Sequence, residues 1–133
     1  YAQSANEAVL RLRSMGIPDS DIGAIDAIIV QKRWTSNIAG ACREERRVIE
    51  ISEPYFDGRG LSCNALYKWD FARGKFAACK ESVKISEKIS RSFSLSGKEL
   101  SRELTERARF LEGIGGLGQE EFLGEIRSYW EYR

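Results

Sequence analysis

Histidine is missing from this 133-residue chain, and that absence removes much of the usual chemistry of enzymes. Without imidazole there is no Ser-His-Asp or Cys-His catalytic set, no histidine-bearing zinc site and no imidazole-based pH switch. Proline is scarce, with two residues, and the 21 basic side chains nearly balance the 20 acidic ones. This composition excludes collagen-like repeats and wholesale disorder, so we expect a folded globular protein.

Long apolar runs are lacking too. The longest candidate, residues 24–30, is interrupted by Asp26 and is far shorter than the roughly 20 residues that cross a bilayer. We therefore predict no transmembrane span in the given chain. The length suits one modest hydrophobic core, so we expect a single α+β domain over residues 1–133.

Cysteines are few, at positions 42, 63 and 79, and show no C-x-x-C spacing. Without histidine they do not complete a four-ligand zinc site, so we expect no metal and no cofactor. Cys63 and Cys79 flank a strand-like aromatic segment, and we expect a disulfide between them that stabilises the fold by about 3 kcal/mol. The expected disulfide and the start of the given sequence at Tyr1 rather than methionine together favour an extracytoplasmic location, either secreted or membrane-anchored. Three free thiols in a reducing cytosol are the alternative.

Helical spacing of apolar residues marks both ends of the chain. Ser4 with Glu7, and Ser96 with Glu99, have the spacing of capping boxes. The segment 80–92 fits both a strand and a helix, and we favour the helix, whereas the period leaves 41–47 undecided. The sequence predicts helices at about residues 4–15, 20–33, 97–112 and 119–132.

The centre of the chain, about residues 48–79, is β-rich. The run 48–51 favours a strand, and an Asp-Gly-Arg-Gly turn signal follows it. Tyr67, Trp69 and Phe71 then fall at every second position, as expected for one face of a β-hairpin. The predicted fold class is therefore α+β, with a small antiparallel β-meander or hairpin covered by N-terminal and C-terminal helices.

A glycine-rich segment, Gly113–Gly118, formally matches the dinucleotide-binding pattern G-x-G-x-x-G. In that motif the glycines follow a strand and open a helix. Here they follow a predicted helix, so we expect a connection between two helices with a glycine C-cap.

Residues 59–84 carry six basic and two acidic side chains. Tyr67, Trp69, Arg73 and Lys75 have the composition of a stacking platform with phosphate contacts, so nucleic-acid binding is one hypothesis. In a half-buried hairpin, however, the aromatic and basic side chains would lie on opposite faces. That arrangement is typical of a core face and a solvated face.

The aromatic residues Tyr129 and Trp130 lie in the last predicted helix, which is amphipathic and suited to docking on another protein. Our leading hypothesis is a non-catalytic binding or assembly module, the soluble domain of a secreted or membrane-anchored protein. Its partner would be a protein, and homo-oligomerisation stays open. One alternative is the nucleic-acid-binding module; a second is a hydrolase, and the carboxylates considered for it are Glu50, Glu53, Asp57 and Asp70.

Overall fold

A computed structural model describes residues 2–38 and 40–131 and shows five helices and four strands within them. The α+β class predicted from the sequence is confirmed. The elements are α1 Ala5–Ser14, α2 Asp19–Ala24, β1 Ile28–Ile38, β2 Ala41–Asp57, β3 Gly60–Asp70, β4 Lys75–Ala78, α3 Lys84–Phe93, α4 Gly97–Ile114 and α5 Gln119–Glu131.

The four strands form one antiparallel meander in the order β1-β2-β3-β4, as expected. The turn from β2 to β3 follows from its sequence, because the Asp57 carboxylate accepts the Arg59 amide at 2.7 Å and Gly60 takes a φ of 128°. β2, with 17 residues, is the longest strand, whereas β1 and β3 have 11 residues each and β4 has four. β3 pairs with β2 only from Glu50 onward, whereas β1 pairs with β2 as far as Ala41.

The predicted helix over 20–33 is wrong beyond its first turns. α2 ends at Ala24, and Ile28 already pairs with Ser52 in the sheet. Isoleucines in this segment satisfy the helical period, but Ile28, Ile29 and Val30 are β-branched and pair with β2, which buries Val30. The β-rich region therefore begins at residue 28 rather than 48, and the undecided segment 41–47 is strand.

The chain divides into two compact units, residues 1–88 and 89–133. In the first unit, α1 and α2 pack on the sheet around a small core. The single domain expected from the chain length stays a prediction. The buried apolar residues of the first unit are Ala5, Val9, Ile22, Val30, Pro54 and Leu66.

The second unit holds the end of α3 with α4 and α5. The helix favoured for 80–92 is confirmed as α3 from Lys84 onward, whereas residues 80–83 precede the helix. α4 begins at a complete capping box between Ser96 and Glu99. A connection between two helices is confirmed at the glycine motif, but it begins later than predicted: α4 continues through Gly113 to Ile114, and Gly115 is its C-cap. None of the helices in the described part of the chain is both long and apolar enough to cross a membrane.

Candidate binding surfaces

The second unit contains an apolar groove of about 460 Å³. Ile89 and Phe93 reach it from α3, one helical turn apart, and Leu100 and Leu104 reach it from α4 with the same spacing. Trp130 of α5 completes the lining. The groove therefore follows from three amphipathic helices with apolar side chains on neighbouring faces. Its remaining lining residues are Leu95, Glu103 and Arg107.

Large apolar side chains of this unit are unusually exposed. Phe93 is 71% exposed, Trp130 58% and Leu104 54%, and Leu111 and Leu123 are also exposed. Since residues seven apart share a helix face, Leu111 extends the stripe of Leu104, and Leu123 extends that of Trp130. Among the described residues of this unit, only two apolar side chains are classed as buried core: Leu100 and Ile114.

Polar and aromatic contacts hold α5 against α4. The Arg107 guanidinium lies 4.4 Å from the centre of the Trp130 ring and pairs with Glu103 at 2.9 Å. The rings of Phe110 and Tyr129 stack with centroids 4.1 Å apart. The two aromatic residues predicted from the sequence therefore take different places: Tyr129 joins the two helices, and Trp130 is largely open to solvent.

The sheet carries a second aromatic cluster. Phe76 lies between Tyr67 and Trp69, with ring centroids 6.0 and 6.3 Å away. Arg47 is stacked 4.1 Å over Trp69. The contact of Arg47 with Trp69 was not predicted from the sequence. Arg47 lies on β2 and Trp69 on β3, and no local sequence pattern shows which residues of two strands come together.

The basic residues proposed for the hairpin lie on the other side of the sheet from this cluster. Lys75 pairs with Asp70, next to the pair of Trp69 with Phe76, and adjacent positions on a strand point to opposite faces. Arg73 lies 3.7 Å from the Asp70 carboxylate. Tyr67 and Trp69 thus do not share a face with Lys75, and a role for these residues in nucleic-acid binding stays a prediction.

Glu53 is a fully buried carboxylate that caps a helix. One of its oxygens accepts the Val83 amide at 2.6 Å and the Asn64 side chain at 3.0 Å. The other accepts the Ser82 hydroxyl at 2.8 Å and the Ile85 amide at 3.1 Å. Burial alone would raise the pKa of Glu53, but these hydrogen bonds outweigh it and lower the pKa to about 2. The ionised carboxylate thereby fixes the start of α3 to the sheet.

Glu50 lies three residues before Glu53 on β2 and likewise accepts an amide at the start of a helix. It is 7% exposed, accepts the Ser52 hydroxyl at 2.7 Å and accepts the Ala5 amide, at the start of α1, at 3.3 Å. A glycosidase-type hydrolase needs one carboxyl group whose pKa is raised so that it can act as an acid. Two of the carboxylates considered for it, Glu53 and Asp57, have lowered pKa values, the latter because the Arg59 amide and Ser62 hydroxyl donate to it.

The disulfide predicted between Cys63 and Cys79 is absent: all three cysteines are free. The Cys79 amide donates to the Leu66 carbonyl, so Cys79 lies beside Leu66, three residues from Cys63 along β3. Three residues of strand span roughly 10 Å, and a disulfide needs Cα atoms within about 7 Å. The register of β3 and β4 therefore keeps the thiols apart, and the extracytoplasmic location loses that support and stays a prediction.

No three Asp, Glu or Cys side chains in the described ranges come together as a metal-binding group. Comparison with protein-family models finds no family that matches the chain, and a search of curated proteins finds no similar sequence.

Proposed function

We propose that this protein is a non-catalytic protein-binding module and that the apolar groove of residues 89–131 is its contact surface. One observation carries the proposal: among the described residues of this unit only Leu100 and Ile114 are buried apolar side chains, whereas more large apolar side chains are exposed. The exposed ones include Phe93, Leu104, Leu111, Leu123 and Trp130. A unit of about 45 residues needs nearly all of its apolar surface for its own stability. Exposed apolar surface on such a unit is typical of a face that a partner covers.

The shape of the surface favours a protein over a small molecule. The exposed stripes through Leu111 and Leu123 extend the apolar surface beyond the residues that line the groove. A helix whose apolar residues recur every three to four positions would fit such stripes. Trp130 has the chemistry of an interface anchor, since its ring is exposed while Arg107 holds its orientation.

The 133-residue chain, carrying an affinity tag, is expressed in its native cells, and the proteins that co-purify with it are measured by quantitative mass spectrometry. Leu104→Glu with Trp130→Glu places two charges on the groove at sites that are more than half exposed. Thr105→Glu with Ser128→Glu adds the same charges to exposed sites on the same helices outside the groove.

We expect the groove variant to lose the enriched partner at least tenfold and the matched control to retain it. The same loss is expected when the chain is truncated after Gly118, which removes α5. Equal recovery from the groove variant and the control, or no protein enriched by the wild-type chain, would contradict the proposal.

A further inference from the structure

The β1–β2 hairpin extends beyond the rest of the sheet as a two-stranded ribbon. Its eight residue pairs run from Gln31 with Val48 to Ile38 with Ala41, a length of about 27 Å. Within the described residues, positions 41–48 of β2 pair with β1 only. We call residues 31–38 and 40–48 the ribbon. Isolated two-stranded ribbons are marginal in water, so the cross-strand contacts of this one must supply much of its stability.

One ion pair links the two strands of the ribbon, and two more lie along β2. Glu44 accepts from Arg33 across the strands at 2.6 Å and from Arg46 along its own strand at 3.3 Å. Arg47 pairs with Glu45 at 3.4 Å and stacks on Trp69 at the base of the ribbon. These contacts neutralise only part of the positive charge.

Positive charge is concentrated on the ribbon. Residues 31–48 contain five basic and two acidic side chains, a net charge of +3 in a chain whose total is +1. Lys32, Arg33 and Arg46 line an open cavity of about 470 Å³ at the base of the ribbon. Towards its tip, Thr35 and Asn37 are exposed and lie two positions apart on one strand, so they share a face.

We propose that the ribbon binds double-stranded DNA, with its basic flank on the phosphate backbone and its tip in the major groove. A two-stranded ribbon is one of the elements that the B-form major groove, about 12 Å wide, admits. The cations at the base then lie where phosphates flank the groove, and the hydroxyl and amide groups of Thr35 and Asn37 face the base edges. This inference uses a different unit from the groove and does not depend on the proposed function.

Fluorescence anisotropy of a labelled 24-base-pair DNA duplex tests it with the full chain. If three net charges displace counterions, affinity falls about 40-fold between 50 and 200 mM salt. Lys32→Gln with Arg46→Gln removes two of these charges and should leave only about a fourfold salt effect. Arg73→Gln with Lys75→Gln removes the same charge from exposed sites of the β3–β4 hairpin, and we expect it to leave the affinity within twofold.

A variant with the opposite effect separates weaker binding from misfolding. Glu44→Gln removes the carboxylate that Arg33 and Arg46 share, so it should tighten DNA binding several-fold. Several outcomes would overturn the proposal: no salt-dependent DNA binding at 50 mM salt, equal losses in both double variants, or no gain from Glu44→Gln. Tighter binding to an A-form RNA duplex of the same sequence, or to phosphatidylserine vesicles, would overturn it as well, because neither offers a wide major groove.

Discussion

Replacing Glu53 with glutamine tests whether one buried carboxylate holds the start of α3 to the sheet. The fall of its pKa from the ordinary 4.5 to about 2 corresponds to about 3 kcal/mol of stability at neutral pH. Glutamine removes the charge and replaces one carboxylate oxygen with an NH₂ group, which is itself a donor. If that group takes the place of the second oxygen, it faces the Ser82 hydroxyl and the Ile85 amide, which both donate to Glu53 in the wild type. We expect the substitution to lower the free energy of unfolding by about 2–4 kcal/mol at pH 7.

The pH dependence gives this prediction its direction. Because the pKa of Glu53 is lower in the folded state, its contribution is complete above about pH 4.5 and is lost as the pH falls towards 2. The difference between wild type and Glu53→Gln in urea unfolding should therefore shrink over that range. Amide exchange at Val83 and Ile85 should be faster in the variant at pH 7, since both amides donate to Glu53.

Glu81→Gln is the matched control, because Glu81 is exposed and only its backbone carbonyl takes part in this network, by accepting from Asn64. We expect it to change stability by less than about 0.5 kcal/mol. The reasoning is refuted if Glu53→Gln is as stable as this control at pH 7. It is also refuted if the stability difference is the same at pH 7 and pH 3.

Three further predictions concern other contacts. Lys84→Met removes the ammonium group that donates to the Gly23 and Ile25 carbonyls, both at 2.6 Å, and should cost about 1–3 kcal/mol in urea unfolding. Lys80→Met, at an exposed site, is the control, and an equal cost would contradict the contact. Leu100→Ala should destabilise the second unit by about 2–4 kcal/mol, whereas Leu104→Ala, at a largely exposed site, should cost less than about 1 kcal/mol; equal effects in thermal unfolding would argue against the described core. In timed iodoacetamide labelling the three thiols should all react without reductant, with Cys63 slowest, because burial and the nearby Glu50 charge raise its pKa. A thiol that reacts only after reduction would restore the disulfide hypothesis.

Local signals were enough to predict much of the helical structure. The capping box at Ser96 and the glycines before Gln119 are short-range features. They mark the starts of α4 and α5, and both helices begin where the sequence predicts. β3 was equally readable, since its alternating aromatic residues have the period of a strand.

The long strands β1 and β2 could not be predicted, because their stability is non-local. The segment 41–47 is too polar to resemble a strand on its own, and cross-strand partners such as Arg33 for Glu44 decide its state. Ile28 and Ile29 of β1 have the spacing of a helix, and only their pairing with β2 shows that they belong to a strand. The secondary-structure propensity of a segment does not show which other strand will pair with it.

The candidate sites show the same division. The sequence identified an aromatic C-terminal helix, but the separation of roles between Tyr129 and Trp130 depends on how Phe110 and Arg107 of α4 meet them. The stacking of Arg47 on Trp69 depends on strand pairing and had no signal in either segment. The capping role of Glu53 also needed the fold, because its partners lie about thirty residues further along the chain.

Photo-cross-linking from the groove tests the central claim most directly. A benzophenone amino acid in place of Phe93, which is 71% exposed in the groove, is compared in native cells with the same group in place of Glu112, an exposed residue outside it. We predict a protein adduct, either a second copy of the chain or another protein, from position 93 and none from position 112. Adducts of equal yield at both positions, or only small-molecule adducts at position 93, would contradict it.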